Sequence, residues 1–336
     1  MDRGISVRLG AFSVGDAYPK GEQGRDRFAE LLDLVQAADR GGLSSFWVAE
    51  HHFHPGGLCP SPPVFLAAAG QRARRIRLGS LVSVLPFHNP VEVAEQYALL
   101  DQLLEGRLNF GIGSGYIPLE FEGFGVDPES KRERFDWSLA TILAAFHGEE
   151  VQSAPEAPRV RINVTPRQKP HPPITIAVQR REALPFVAQK GAGVALIPYA
   201  TVSGLDELAE EIREFRASLP SGVSAPVRVA LHVYAGERPA AARRALQNYL
   251  DSRLATQSTF YQEKVRRDPR HANAKAVEES GFALIGSPAE VAEALGRFEE
   301  VGVDELLGIF DFGGLSRTEV EGSIKSLGKL WTEKKG

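Results

Sequence analysis

Glu50-His51-His52-Phe53-His54 puts three imidazoles and a carboxylate within five residues. Imidazole is the side chain whose ordinary pKa lies nearest neutrality, so such a cluster can relay protons or ligate a metal. It can also be a hydrogen-bonded corner. The His52-x-His54 spacing suits a metal in a barrel hydrolase, and Asp311 could be a further ligand. The runs ending in Val178-Gln179 and Pro198-Tyr199 add no histidine or lysine, so no metal is expected. A second candidate is Gly111-Ile112-Gly113-Ser114-Gly115-Tyr116. Alternate glycines in a strand mark the close approach of another backbone or of a flat ligand. A dinucleotide fingerprint would need glycine at 116 and a helix directly after it. Tyr116 stands there, and Ile117-Pro118 is read as interrupting any helix. A third is Gln179-Arg180-Arg181, where a strand runs into a helix. Helix-start N–H groups beside a guanidinium suit a phosphate.

These segments need strands to carry them, and the chain alternates strand-like and helix-like stretches. Strand-like runs occupy 5–12, 44–50, 75–86, 108–115, 173–179, 193–200, 227–236 and 304–312. Several are almost continuously apolar, the pattern of parallel strands covered on both faces. Between them, Phe28, Leu31, Leu32, Val35 and Ala38 recur at helical spacing before Gly41-Gly42. Pro90 opens and Gly106 closes another helix, Pro128 starts a third, and Ser287-Pro288 begins one near the end. Eight strand-then-helix units predict an α/β fold, a (β/α)₈ TIM barrel, with an open doubly wound sheet as the competing architecture. The whole chain, 1–336, is read as one barrel domain with insertions at 149–172 before strand 5 and 256–282 before strand 8. The second insertion lies where a lid could sit over a barrel mouth.

Composition narrows the function. With 39 basic and 43 acidic residues the net charge is −4, which does not suit a dedicated nucleic-acid binder. One cysteine, Cys59, excludes an internal disulfide framework. The first residues lack the apolar run of a signal peptide, and no run of about twenty apolar residues could cross a bilayer. A cytoplasmic location is expected, with no membrane partner.

Taken together, the motifs resemble the luciferase-like monooxygenases, the flavin-dependent barrel family that includes bacterial luciferase. The resemblance rests on Trp47-Val48-Ala49-Glu50-His51-His52-Phe53 and on Leu78-Gly79-Ser80 leading to Leu85-Pro86. It continues through His88-Asn89-Pro90-Val91, Leu100-Asp101-Gln102, Phe110-Gly111-Ile112-Gly113 and Gly308-Ile309-Phe310-Asp311. It implies a monooxygenase that uses reduced FMN and dioxygen on a small organic substrate, the flavin coming from a separate NAD(P)H-dependent reductase. The flavin ring would rest near Leu81, Val82, Gly111 and Gly113, with Ser114 and Tyr116 beside it and a non-proline cis peptide at Leu81–Val82. Its phosphate would fall at Gln179-Arg180. His51 matches the family's active-site histidine; Glu50 would orient the histidine pair or tie down the loop, with His52 and His54 behind. Gly113 and Ser114 replace a cysteine and an arginine of bacterial luciferase, so Arg180 would have to compensate at the phosphate. Phe12, Leu81, Tyr116 and Pro198 would form an apolar pocket. The resemblance also implies a homodimer through the early helices. The same fold could instead carry a deazaflavin for hydride transfer, or bind flavin without catalysis.

Overall fold

The computed structural model describes residues 7–17, 25–54, 56–255 and 259–333. The strands are β1 (Arg8–Ser13), β2 (Ser45–Val48), β3 (Arg77–Ser80), β4 (Ser83–Val84) and β5 (Leu108–Gly113). They continue with β6 (Ile174–Val178), β7 (Gly193–Leu196), β8 (Val227–Ala235), β9 (Ala283–Gly286) and β10 (Glu305–Ile309). All pair in parallel. The order runs β10-β1-β2-β3-β5-β6-β7-β8, and β10 pairs back onto β8, closing an eight-stranded TIM barrel. Closure is set by Glu305, opposite Arg8 of β1 and Arg228 of β8.

The strands are buried almost end to end because helices cover their outer faces and side chains fill the centre. The amino-terminal end is plugged by a polar network. Glu305 accepts from Ser44, Ser45 and Arg228 at 2.7, 2.6 and 2.8 Å, and Arg228 also donates to Thr175 at 2.7 Å. The Arg228 guanidinium lies 5.0 Å from the Trp47 ring centre. With that floor sealed, a ligand enters from the carboxyl ends.

Three features depart from the sequence reading. The run 75–86 is two strands, β3 and β4, parted at Leu81–Val82, whose peptide is cis as the resemblance implied. Ile117-Pro118 does not stop a helix: Pro118 opens one, Pro118–Phe124, which ends at left-handed Gly125. Proline fits a first turn because the N–H it lacks has no partner there. Finally, 256–282 is mostly helical, with helices Thr259–Arg267 and Ala274–Glu279 joined by a 3₁₀ turn, Pro269–Ala272; residues 256–258 lie outside the described set. It leads into β9, an unanticipated strand paired with the upper half of β8 through His232–Ala235. The insertion 149–172 contains one antiparallel bridge, Val151 to Val160.

Candidate active site

A cavity of about 380 Å³ opens at the carboxyl mouth. Glu50, His51, Leu81, Val82, Gly113, Ser114, Tyr116, Gln179 and Arg180 all line it, so segments 130 residues apart converge as the motifs required. Three expected residues do not: His52, Gly111 and Pro198. His52 packs edge-on to Phe124, with ring centres 4.7 Å apart, outside the cavity wall. Gly111 is needed for strand packing: a Cβ there would run into the Ser80 carbonyl. The alternate glycines therefore have separate causes, since Gly113 does face the cavity, with Val82 pressed against it. Phe12 and Tyr116 are in the wall as expected, but Ile197 and Tyr199 stand there in place of Pro198.

The histidines divide between two carboxylates. Glu50 accepts from His52 Nε2 at 3.1 Å, His88 Nε2 at 2.7 Å, Ser83 Oγ at 3.2 Å and Val84 N at 3.2 Å. Burial alone would raise its pKa, but the bonds from His52 and His88 outweigh that and hold it low. Burial opposes His88's charge, and the Glu50 bond overcomes it, so the His88 pKa is raised. Glu50 thus ties the loop down and does not touch the His51 ring among the described residues.

Glu120, which the sequence reading missed, takes the other two. It sits on the helix opened by Pro118 and accepts from His51 Nδ1 at 3.0 Å, His52 N at 2.9 Å and His54 Nε2 at 3.3 Å. Burial would raise its pKa, but the His51 and His54 bonds take it down to about 2. An ionised carboxylate has no proton to give, so the facing nitrogens of His51 and His54 carry theirs. Gly56 N donates to His54 Nδ1 at 3.1 Å, so Nδ1 is the accepting nitrogen of that ring. Burial lowers the His51 pKa; the Glu120 bond opposes this, and Arg253 adds to the lowering. His51 is therefore neutral at pH 7, with Nδ1–H held by Glu120 and a lone pair on Nε2. That is the form of a proton acceptor. The signal for Glu120 was a proline at a first helical position with acids behind it.

Each of these clusters groups two imidazoles with a carboxylate, the donor types of a divalent-metal site. Hydrogen bonds already account for both carboxylates. His52 and His54 go to different carboxylates, and Asp311 accepts from Ser13 at 2.5 Å and Arg27 at 2.7 Å beside a separate cavity of about 220 Å³.

The remaining wall has two polar ends. At the outer end stand Lys131, Arg132 and Arg180, three cations suited to a phosphate. Lys131 and Arg132 open the helix Lys131–Phe146 and carry no motif that announced them. Arg181 turns away to Glu214 at 2.6 Å and Glu210 at 3.4 Å. The helix after it is short, a 3₁₀ turn followed by Leu184–Gln189. At the inner end stand Arg253, Tyr116, Tyr199, Tyr249 and Tyr261. Between the ends the wall is apolar, with Leu81, Val82, Val84, Ile176 and Val178.

Comparison with known proteins finds relatives in sequence and in fold. The chain is 35% identical over 175 residues to a 4-hydroxyprotoasukamycin monooxygenase of Streptomyces nodosus subsp. asukaensis, covering 51% of this chain and 47% of that one. It is 30% identical over 175 residues to the oxygenase component of a flavin-dependent trigonelline monooxygenase of Acinetobacter baylyi, covering 51% and 49%. The chain spans about half the length of these curated relatives. Among solved structures, the oxygenating constituent of 3,6-diketocamphane monooxygenase from Pseudomonas putida, in complex with FMN, superposes with a TM-score of 0.81 at 18% identity, over 98% of each chain. An F420-dependent secondary alcohol dehydrogenase superposes at 0.72 and 14% identity, over 96% of this chain and 98% of that one, so the fold is shared beyond oxygenases. The sequence model of luciferase-like monooxygenases matches residues 7–305, and the chain belongs to that family.

Proposed function

We propose that this chain is the oxygenase of a two-component, FMN-dependent monooxygenase that oxygenates a small organic molecule. The observation that carries the reading is one cavity with a neutral, carboxylate-anchored His51 inside and Lys131, Arg132 and Arg180 at its outer rim. The donor set fits the flavin. Leu81, Val82 and Gly113 offer an apolar bed for a flat ring, Ser114 and Gln179 offer hydrogen bonds, and the rim cations suit a phosphate. Arg180, helped by Lys131 and Arg132, takes over the phosphate contact that an arginine at position 114 supplies in bacterial luciferase.

When bound, reduced FMN supplies the electrons and the centre at which dioxygen is activated. The chain's own residues then bind, dry and protonate. The aliphatic wall excludes water from the reacting volume. His51 Nε2 takes or returns a proton, and Glu120 holds Nδ1–H so that the ring keeps one orientation and one tautomer. Glu50 fixes the loop behind them. A diffusible reductase recharges the flavin, in a cytoplasmic setting. Val64, Leu99 and Leu103, exposed on helices Pro62–Arg72 and Pro90–Leu103, support a homodimer.

Titration with oxidised FMN and with a deazaflavin tests the cofactor, and stopped-flow mixing of protein-bound reduced FMN with oxygen tests the chemistry. The reading expects FMN binding that weakens in Arg180→Ala, and FMN reoxidation kinetics distinct from those of free FMN. Preference for the deazaflavin would favour hydride transfer, and FMN binding with unaltered reoxidation a non-catalytic flavin protein.

A further inference from the structure

We infer that Tyr116, backed by Arg253, orients the substrate by donating a hydrogen bond to a neutral carbonyl oxygen, so that the substrate is an apolar ketone. This rests on the oxygenase reading of the cavity. Arg253 comes from the last turn of the helix Pro239–Ala255 and is buried at the inner end of the cavity. Its Nη1 donates to the Gly56 carbonyl at 2.6 Å and to Asp16 Oδ1 at 3.3 Å. Its Nη2 donates to the Tyr116 hydroxyl at 3.3 Å. The Tyr116 oxygen is thus an acceptor toward Arg253, and its own proton must point elsewhere. A phenol that accepts from a cation is a stronger donor through its remaining O–H. Its ring stands edge-on to His51, with centres 6.2 Å apart, so the polarised O–H and the His51 lone pair serve the same volume.

Charge decides what the hydroxyl meets. Asp16 already balances Arg253, while Glu120 stands ionised beside His51, whose pKa burial lowers. The remaining cations, Lys131, Arg132 and Arg180, belong to the outer rim. An anionic group at Tyr116 would meet the Glu120 carboxylate in a buried setting, whereas a neutral acceptor pays no such cost. The aliphatic wall then holds the rest of the molecule.

The test uses 4-tert-butylcyclohexanone, the matching alcohol and the matching carboxylate, each added to the full chain with and without saturating oxidised FMN. Calorimetry reads affinity and infrared difference spectroscopy reads the carbonyl stretch. The ketone is expected to bind more tightly than the other two, with its stretch moved to lower frequency than in an apolar solvent. Tyr116→Phe is expected to weaken ketone binding by about tenfold, the scale of one buried hydrogen bond, and to abolish the shift. The paired exchange Asp16→Asn with Arg253→Met, which removes both charges together, is expected to shrink the shift. An unmoved stretch in the wild type, a shift retained in Tyr116→Phe, tighter carboxylate binding or no ketone binding would each overturn the inference. FMN binding with an unmoved stretch refutes this inference alone, and a shifted stretch without FMN binding refutes the flavin reading alone.

Discussion

His51 Nδ1 lies 3.0 Å from Glu120 Oε1, a bond between a strand-end loop and a short helix 69 residues later in the chain. If His51 moves protons, Glu120 sets how well it does so. His51→Ala should lower kcat for oxygenation with reductase-supplied FMN by roughly 10²–10⁴-fold. Glu120→Gln should cost less and should also shift the pH profile. Burial lowers the His51 pKa and the Glu120 carboxylate holds it up, so removing that carboxylate moves the acid limb of the kcat profile to lower pH. A limb that stays in place would mean that Glu120 only props the loop.

Gly57 lies against the same imidazole. A Cβ at that position would sit 2.5 Å from His51 Cδ2 and 2.8 Å from Cγ. Gly57→Ala should therefore displace the ring and reduce kcat by about 10²-fold, with an unchanged far-ultraviolet spectrum.

Glu50 should matter most to stability. Its buried carboxylate accepts from two histidines, a serine and a backbone N–H. Glu50→Ala strands all of these donors and should cost about 3 kcal/mol in urea denaturation.

Glu211, on the helix Leu205–Ala217, is buried near Glu207, and burial with that neighbour raises its pKa to about 7. Between the ordinary carboxylate pKa and about 7 the folded chain keeps a proton that the unfolded chain has released. Stability therefore falls as pH rises through that interval. Glu211→Gln should raise the melting temperature by about 2 °C at pH 8 and leave it nearly unchanged at pH 5.

The barrel and most of its mouth were legible because they are written in local patterns. Apolar runs gave the eight barrel strands, and the Glu-His-His and Gly-x-Gly segments fell at strand ends as barrel geometry requires. What escaped depended on chain geometry. Pro118 reads in sequence as a helix breaker, although at a first helical position it is a helix opener, and that reading hides Glu120. Adjacency in sequence leaves Glu50 open either to orient the histidine pair or to tie down the loop; it bonds His52 and His88, and His51 is served by a distant helix. Arg253, Lys131 and Arg132 carry no motif, and only the closed barrel brings them to the cavity.

The helical segment 259–282, between the helix Pro239–Ala255 and β9, reaches the cavity through Tyr261, whose hydroxyl donates to the His271 carbonyl at 2.8 Å. The segment is pinned to the rim by His271 Nδ1 on the Tyr199 carbonyl at 2.9 Å and by Lys264 Nζ on the Thr201 carbonyl at 2.7 Å. Both pins land on main-chain oxygens that every sequence possesses. The segment is therefore an exchangeable cassette: grafting a different one between the helix Pro239–Ala255 and β9 would re-tailor substrate choice while leaving Arg253, the proton-handling histidine and its carboxylate as they are.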